Sequence, residues 1–283
     1  MKTIKIGCGW WGFREKPLDE HFTLCNKWGF KTLELGIGDE FPATIPMNSS
    51  DVQLEAIGEK SRTFGIKTPF ATIESDFTLL DTQGHRDMVD HAIRTLAVAS
   101  RLKISHIRIF AGFMPASDIT AVIYQQVIDA FKACYEVSQS LGIRISIETH
   151  GKIEWKNGVA FHSPTISTDP FFLEKLLRDL PGEIGFNYDP GNLKAAHPKD
   201  RHYALDLLNG RINYCHLKDW KPVQGGWVAA AIGDDDLDYA ELLPRINFDG
   251  IYLIEYEPLE DLETGIQRSL DYLRRIGYSL QFE

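Results

Sequence analysis

The stretch Ile143-Arg144-Ile145-Ser146-Ile147-Glu148-Thr149-His150 alternates isoleucine with other residues at a period of two. Ile143, Ile145 and Ile147 therefore share one face of a strand, and Arg144, Ser146, Glu148 and His150 share the other. The apolar face suits packing against helices. The polar face ends in a carboxylate and an imidazole, which need a place where both find partners, and the mouth of a closed barrel offers one. The same shape recurs downstream in Gly185-Phe186-Asn187-Tyr188-Asp189, in Ile212-Asn213-Tyr214-Cys215-His216-Leu217-Lys218-Asp219 and in Ile251-Tyr252-Leu253-Ile254-Glu255-Tyr256-Glu257. Each is a short apolar or aromatic run that closes on side chains able to bind a metal.

Outward from that stretch, strand and helix alternate about eight times. Strand patterns fall at 4–8, 31–35, 66–70, 106–112, 143–150, 185–189, 212–219 and 251–257, and helical spacing is expected over 17–28, 51–64, 83–102, 121–140, 171–180, 203–208, 237–246 and 262–276. Residues 152–170 read as an irregular loop. Gly29, Gly65 and Gly142 stand where a helix stops and a strand begins. Such alternation calls for parallel strands with crossover helices, and eight units favour closure over an open sheet. The expected fold is α/β, a single (β/α)8 TIM barrel over residues 1–283, for which about 250 residues are typical.

The formal net charge of −10 argues against the basic footprint that a nucleic-acid partner demands. No apolar run approaches the ~18 residues of a membrane span, and the chain enters its first strand without a signal-type apolar region, so no membrane partner and a cytoplasmic location are expected. Cys8, Cys25, Cys134 and Cys215 lack CxxC spacing and read as buried reduced thiols. Gly7-Cys8-Gly9-Trp10-Trp11-Gly12 matches the letters of a dinucleotide fingerprint, but two tryptophans and Phe13 would crowd a pyrophosphate. That loop, Trp11 included, is instead expected to wall a pocket.

Glu148, Asp189, His216 and Glu255 close strands five to eight, at the rim where barrel enzymes build their sites. Three carboxylates converging there could not all stay ionised at neutral pH without a strong positive partner. One divalent cation supplies it, and three oxygens with one imidazole suit Mn²⁺, Mg²⁺, Co²⁺ or Zn²⁺ without selecting among them. A solvated strand end is the alternative for any one of the four taken singly; four consecutive strands ending alike weigh against it.

Here the sequence resembles a known family. Ile-Glu-Thr-His at Glu148, Asp-Pro-Gly-Asn at Asp189, His-Leu-Lys-Asp at His216 and Ile-Glu-Tyr-Glu at Glu255 are similar to the metal-ligand strands of xylose-isomerase-like barrels, the sugar isomerase/epimerase superfamily. Arg108-Ile109-Phe110-Ala111-Gly112 resembles that family's fourth strand. The resemblance implies metal ligands at Glu148, Asp189, His216 and Glu255, with Glu148 and Glu255 also moving the proton. It implies substrate contact at Glu154, six residues past Glu148, and at Asn192, where many members carry His. Lys218, His150 and Arg108 share inward faces and complete the candidate substrate contacts with Trp11; the alternatives are a salt bridge from Lys218 to Asp219 or Glu255, a propping role for His150, and a buried pair between Arg108 and Glu34.

The expected activity is a divalent-metal-dependent sugar isomerase or epimerase acting on a small ketose, aldose or keto-acid through a metal-bound cis-enediolate. A metal-dependent dehydratase or lyase of a keto-polyol would use the same ligands, and substrate pose decides between them. An apurinic-site endonuclease would need more histidines at this rim than Ile232-Gly233-Asp234-Asp235-Asp236 supplies. A sugar-binding barrel without catalysis would keep the rim aromatics but not need both glutamates. No basic cluster or Gly-rich turn opens the last two helices, which points to an unphosphorylated substrate. Superfamily members often form dimers or tetramers, so the resemblance also allows a homo-oligomer.

Overall fold

Strand register carries the alternation of the sequence into three dimensions. In the computed structural model, which describes residues 2–283, the chain runs β1 (Lys2–Cys8), α1 (Leu18–Trp28), β2 (Thr32–Ile37), α2 (Asp51–Phe64), β3 (Lys67–Ile73), α3 (Thr82–Arg101), β4 (His106–Phe110), α4 (Ala121–Leu141) and β5 (Arg144–Glu148). A hairpin of β6 (Lys152–Lys156) and β7 (Val159–Ser163) precedes α5 (Pro170–Asp179), β8 (Gly185–Tyr188), α6 (Pro190–Ala196), α7 (Leu205–Leu208) and β9 (Ile212–Leu217). A second hairpin, β10 (Asp219–Val223) and β11 (Gly226–Ala230), precedes α8 (Tyr239–Leu242), β12 (Ile251–Ile254), α9 (Leu262–Arg275) and β13 (Tyr278–Phe282).

Eight parallel strands, in the order β1-β2-β3-β4-β5-β8-β9-β12, close when β12 pairs with β1 from Lys5↔Ile251 to Cys8↔Ile254. This is the (β/α)8 barrel expected from the sequence. β13 adds to the N-terminal half of β1, on the side away from β12. Helix ends follow the glycines: Gly29, Gly65 and Gly142 adopt left-handed φ of 84°, 62° and 69° as C-terminal caps, a conformation that costs other residues a Cβ clash.

Ile107, Ile109, Ile145 and Ile147 are fully buried in the layer that packs against helices. The interior face is unusually polar. Glu34, His106, Arg108, Ser146, Glu148, Asn187 and His216 are all at most 2 % exposed, so each must find a partner inside the barrel. One loop departed from expectation. Residues 152–170, read as irregular, hold the β6–β7 hairpin, which joins the β10–β11 hairpin at Ala160↔Trp227 to form a four-stranded antiparallel sheet. Asp238 caps α8, its side chain accepting from the Glu241 amide.

One interior histidine makes stability depend on pH. His106 packs edge-on to Tyr214 at a centroid distance of 5.0 Å, and its Nε2 lies 2.8 Å from Ser146 Oγ. Burial first, and the Arg144 charge second, lower its pKa from 6.5 to about 3. The neutral ring therefore contributes fully above pH 6.5, and the contribution is lost as pH falls from 6.5 towards 3, where the unfolded chain protonates first. His106→Gln is expected to lose about 1.4 kcal/mol less stability per pH unit across that window than the parent. Urea unfolding on either side of pH 6 measures it; parallel losses in both chains would show that His106 is not the linked group.

Candidate active site

Asp-Pro-Gly-Asn builds the floor of the site. Asp189 caps α6, its Oδ1 accepting from the Asn192 amide at 2.8 Å, while Pro190 occupies the first turn, where a missing N–H costs nothing. A Cβ on Gly191 would sit 2.5 Å from the Lys218 carbonyl oxygen, so glycine lets α6 lie against the end of β9. Asn192 Nδ2 donates to Asp189 Oδ2 at 3.1 Å, and its Oδ1 accepts from Trp220 Nε1 at 3.1 Å. Both ends of that amide are taken and the residue is 1 % exposed, so Asn192 positions Asp189 and does not face the cavity as the sequence reading expected.

His216 lies beside Asp189. Its Nδ1 is 3.4 Å from Glu255 Oε1 and 3.9 Å from Asp189 Oδ2, and its Nε2 is 3.5 Å from Glu34 Oε1. Neither nitrogen makes a hydrogen bond to any of the described residues, although the ring is completely buried. Donor atoms of Glu148, Asp189 and His216 lie within 4.8 Å of one another, as do those of Glu34, His216 and Glu255. The four residues named from the sequence thus gather at one end of the barrel as two overlapping triads that share His216.

Above them opens a cavity of about 170 Å³. Glu148, Glu255, Arg108, Lys218 and His150 supply its polar lining, and Trp11, Phe110, Phe113, Ile153 and Trp155 its apolar wall. Ile153 and Trp155 come from the β6 hairpin, on the same face at a period of two. Glu154 between them must point the other way. It is exposed, beside Lys152 and Lys156, and does not line the cavity. His150 does line it, held between Phe110 and Phe113 at 5.3 Å and 5.7 Å, with Nδ1 unpartnered.

Arg108 ties the carboxylates together. Its Nε donates to Glu34 Oε1 at 2.8 Å, Nη1 to Glu148 Oε2 at 3.1 Å and Nη2 to Glu255 Oε1 at 3.4 Å, so one planar fork spans three strands. Lys218 holds Glu255 Oε2 at 2.8 Å and Glu257 Oε2 at 2.6 Å. The pairings that the sequence offered as alternatives for Arg108 and Lys218 are therefore both formed, and both residues still face the cavity.

Sequence reasoning gave Glu34 only as a partner for Arg108 and assigned no role to Glu257 or Glu74. Glu34 accepts from Arg108, from Tyr214 Oη at 2.6 Å and from the Trp10 amide at 3.2 Å. Burial would raise its pKa, but Arg108 and His216 outweigh burial and hold it at about 2. Glu257 lies two residues past Glu255 and shares its inward parity. Glu74 follows Phe70 and Thr72 on the inward side of β3, a parity that was visible had the strand been continued past Phe70. Burial pushes Glu74 up to about 7, and one of its oxygens has no partner.

Charge accounting favours a cation here. Glu34, Glu74, Glu148, Asp189, Glu255 and Glu257 face two fixed cations, Arg108 and Lys218. Burial accordingly raises Glu148 and pushes Asp189 up to about 7, while burial's lowering of His216 is overridden by Glu255 and Glu34, which lift it to about 10. Ligand atoms each ~2.1 Å from one ion lie roughly 3.0–3.5 Å apart, close to the spacing around His216 Nδ1. Glu34 at Nε2 would then fix the ring's tautomer, as carboxylates commonly do behind metal-ligating histidines. The donor set fits a divalent ion.

A search of curated proteins finds no match to this chain. Among solved structures, the xylose isomerase domain protein of Planctomyces limnophilus superposes with a TM-score of 0.75 at 16% identity, covering 97% of this chain and 97% of that one. A D-tagatose 3-epimerase-like protein gives 0.74 at 15% identity, covering 96% of this chain and 98% of the other. The IolI protein, solved with a bound zinc atom, gives 0.71 at 17% identity and covers 98% of each. At such identities the likeness is one of fold. The family model described as xylose isomerase-like TIM barrel matches residues 22–276, and the chain belongs to that family.

Proposed function

We propose that this protein is a metal-dependent isomerase or epimerase of a small unphosphorylated sugar or keto-acid. One observation carries the reading: Glu148 and Glu255 belong to the ligand cluster and also form the cavity wall, bridged by a single guanidinium. Glu148, Asp189, His216 and Glu255 would hold the ion, with Asn192 and Glu34 orienting two of them. When bound, a divalent cation would act as a Lewis acid, drawing electron density from substrate carbonyl and hydroxyl oxygens and so making the adjoining C–H more acidic.

The side chains of this chain perform the rest. Glu148 and Glu255, at opposite Nη groups of Arg108, are the carboxylates that take a proton from a substrate C–H and return it. Return to the same carbon from the other face gives an epimer; return to the neighbouring carbon exchanges aldose and ketose. Arg108 and Lys218 hold their carboxylates in place and donate towards substrate oxygens. His150, whose pKa burial lowers to about 3, is a neutral hydrogen-bond partner for a hydroxyl. Trp11, Phe110 and Trp155 cover the C–H face of the substrate and exclude water. Glu74 and Glu257 make the wall too acidic for a phosphate, which supports an unphosphorylated substrate.

The test is a screen of ketoses, aldoses, inososes and hydroxypyruvate in D₂O with Mn²⁺ or Co²⁺, read by NMR. Exchange of one C–H with solvent is expected for the true substrate class, with loss after EDTA and recovery on adding metal. Water loss from a keto-polyol would replace isomerisation by dehydration at the same site. Exchange that ignores chelators would remove the cation from the reading.

A further inference from the structure

A second cluster of metal-binding side chains lies on the β1–α1 side of the barrel and shares no residue with the site above. Cys8 ends β1, and His21 and Cys25, four apart on α1, project from one face of that helix. Their donor atoms all lie within 4.8 Å of one another, and none of the three is more than 1 % exposed. His21 stacks on Phe13 at 3.9 Å, which fixes the ring plane. Its Nε2 is buried with no hydrogen-bond partner among the described residues. An unmet ring nitrogen in a closed space costs free energy, and the sulfurs of Cys8 and Cys25 lie within 4.8 Å of a nitrogen of this ring.

We propose that Cys8, His21 and Cys25 form a structural site for a thiophilic d¹⁰ cation, Zn²⁺ by charge. Two thiolates and a neutral imidazole bring two negative charges, so a divalent ion leaves the enclosed centre neutral, whereas Cu⁺ would leave a net negative charge near Glu34. On binding, two S–H bonds break, two S–metal bonds form, and two protons leave to solvent; the imidazole contributes its lone pair and loses no proton. No oxidant or reductant is involved. Ligand softness separates the two centres: the carboxylate cluster suits harder ions such as Mn²⁺ or Mg²⁺, the thiolate cluster a softer one. A bound ion would clamp β1 to α1 behind Trp10, whose amide holds Glu34.

Cadmium is the probe, because cadmium–thiolate bonds absorb in the ultraviolet and cadmium–carboxylate bonds do not. The full chain is titrated with CdCl₂ both as folded protein and during refolding from urea, so that slow entry into a closed site does not imitate absence. One cadmium per chain with the charge-transfer band of two thiolates is expected, with two protons released into weak buffer and the band displaced by Zn²⁺. Cys8→Ser and Cys25→Ser should each at least halve the band, and Cys134→Ala should leave it intact. A wild-type chain that fills its carboxylate site with cadmium yet shows no thiolate band would overturn the proposal. So would a band that survives loss of both Cys8 and Cys25. Should a serine variant fail to fold, the wild-type titration decides alone.

Discussion

Turnover of Glu148→Gln and of Glu255→Gln is each expected to fall by a factor on the order of 10²–10⁴, the range associated with a positioned proton-transfer group. Glutamine keeps the shape of the side chain and leaves a carbonyl oxygen as a weak ligand, but it cannot accept a proton from carbon. Because both residues also belong to the ligand cluster, each variant needs its metal content measured beside its rate of C–H exchange in D₂O. A variant that holds metal as the parent does but exchanges no deuterium locates the loss in proton transfer. One that retains the parent's turnover removes that carboxylate from the mechanism.

Stability responds most to Arg108. Its guanidinium is 2 % exposed and is the counter-charge for Glu34, Glu148 and Glu255 together. Replacing it with methionine keeps most of the volume but leaves three buried carboxyls with reduced compensation, and removing one partner of a buried ion pair costs about 3–5 kcal/mol. Burial of Glu34, now opposed by Arg108 and His216, would lose its chief opponent. Arg108→Met is therefore expected to lose stability of that size in urea unfolding. Added Mn²⁺ should restore more of it than Mn²⁺ adds to the parent, since the ion replaces part of the missing positive charge. A loss below about 1 kcal/mol would show that the carboxyls are already neutralised by protons.

What could be read from the sequence follows from the period of a strand. Glu148, Asp189, His216 and Glu255 stand at the ends of runs whose apolar partners face helices, so their convergence at one rim needed only parity and chain order. Glu154 failed for the same physical reason. A spacing of six residues carries no information about the hairpin between, and alternation within β6 turns Ile153 and Trp155 to the cavity and Glu154 to solvent. Asn192 was found at the right place with the wrong role, because nothing local reveals that Trp220 and Asp189 occupy both ends of its amide. Glu74 and the C-terminal strand β13 went unseen; the strand read over 66–70 stopped short of Thr72 and Glu74, and β13 exists only through its long-range pairing with β1.

The β6–β7 hairpin, which carries Ile153 and Trp155 over the cavity, grows from the end of β5 and pairs at Ala160↔Trp227 with the β10–β11 hairpin that follows β9. Such a seam can part while every rung of the barrel stays closed. In the proposed enzyme this would separate ligand exchange from the rigidity that holds Glu148 and Glu255, so that the two could be tuned independently. Fluorescence of Trp155, half exposed on the β6–β7 hairpin, would time the opening, and a rate that matched steady-state turnover would make escape of product the slow event.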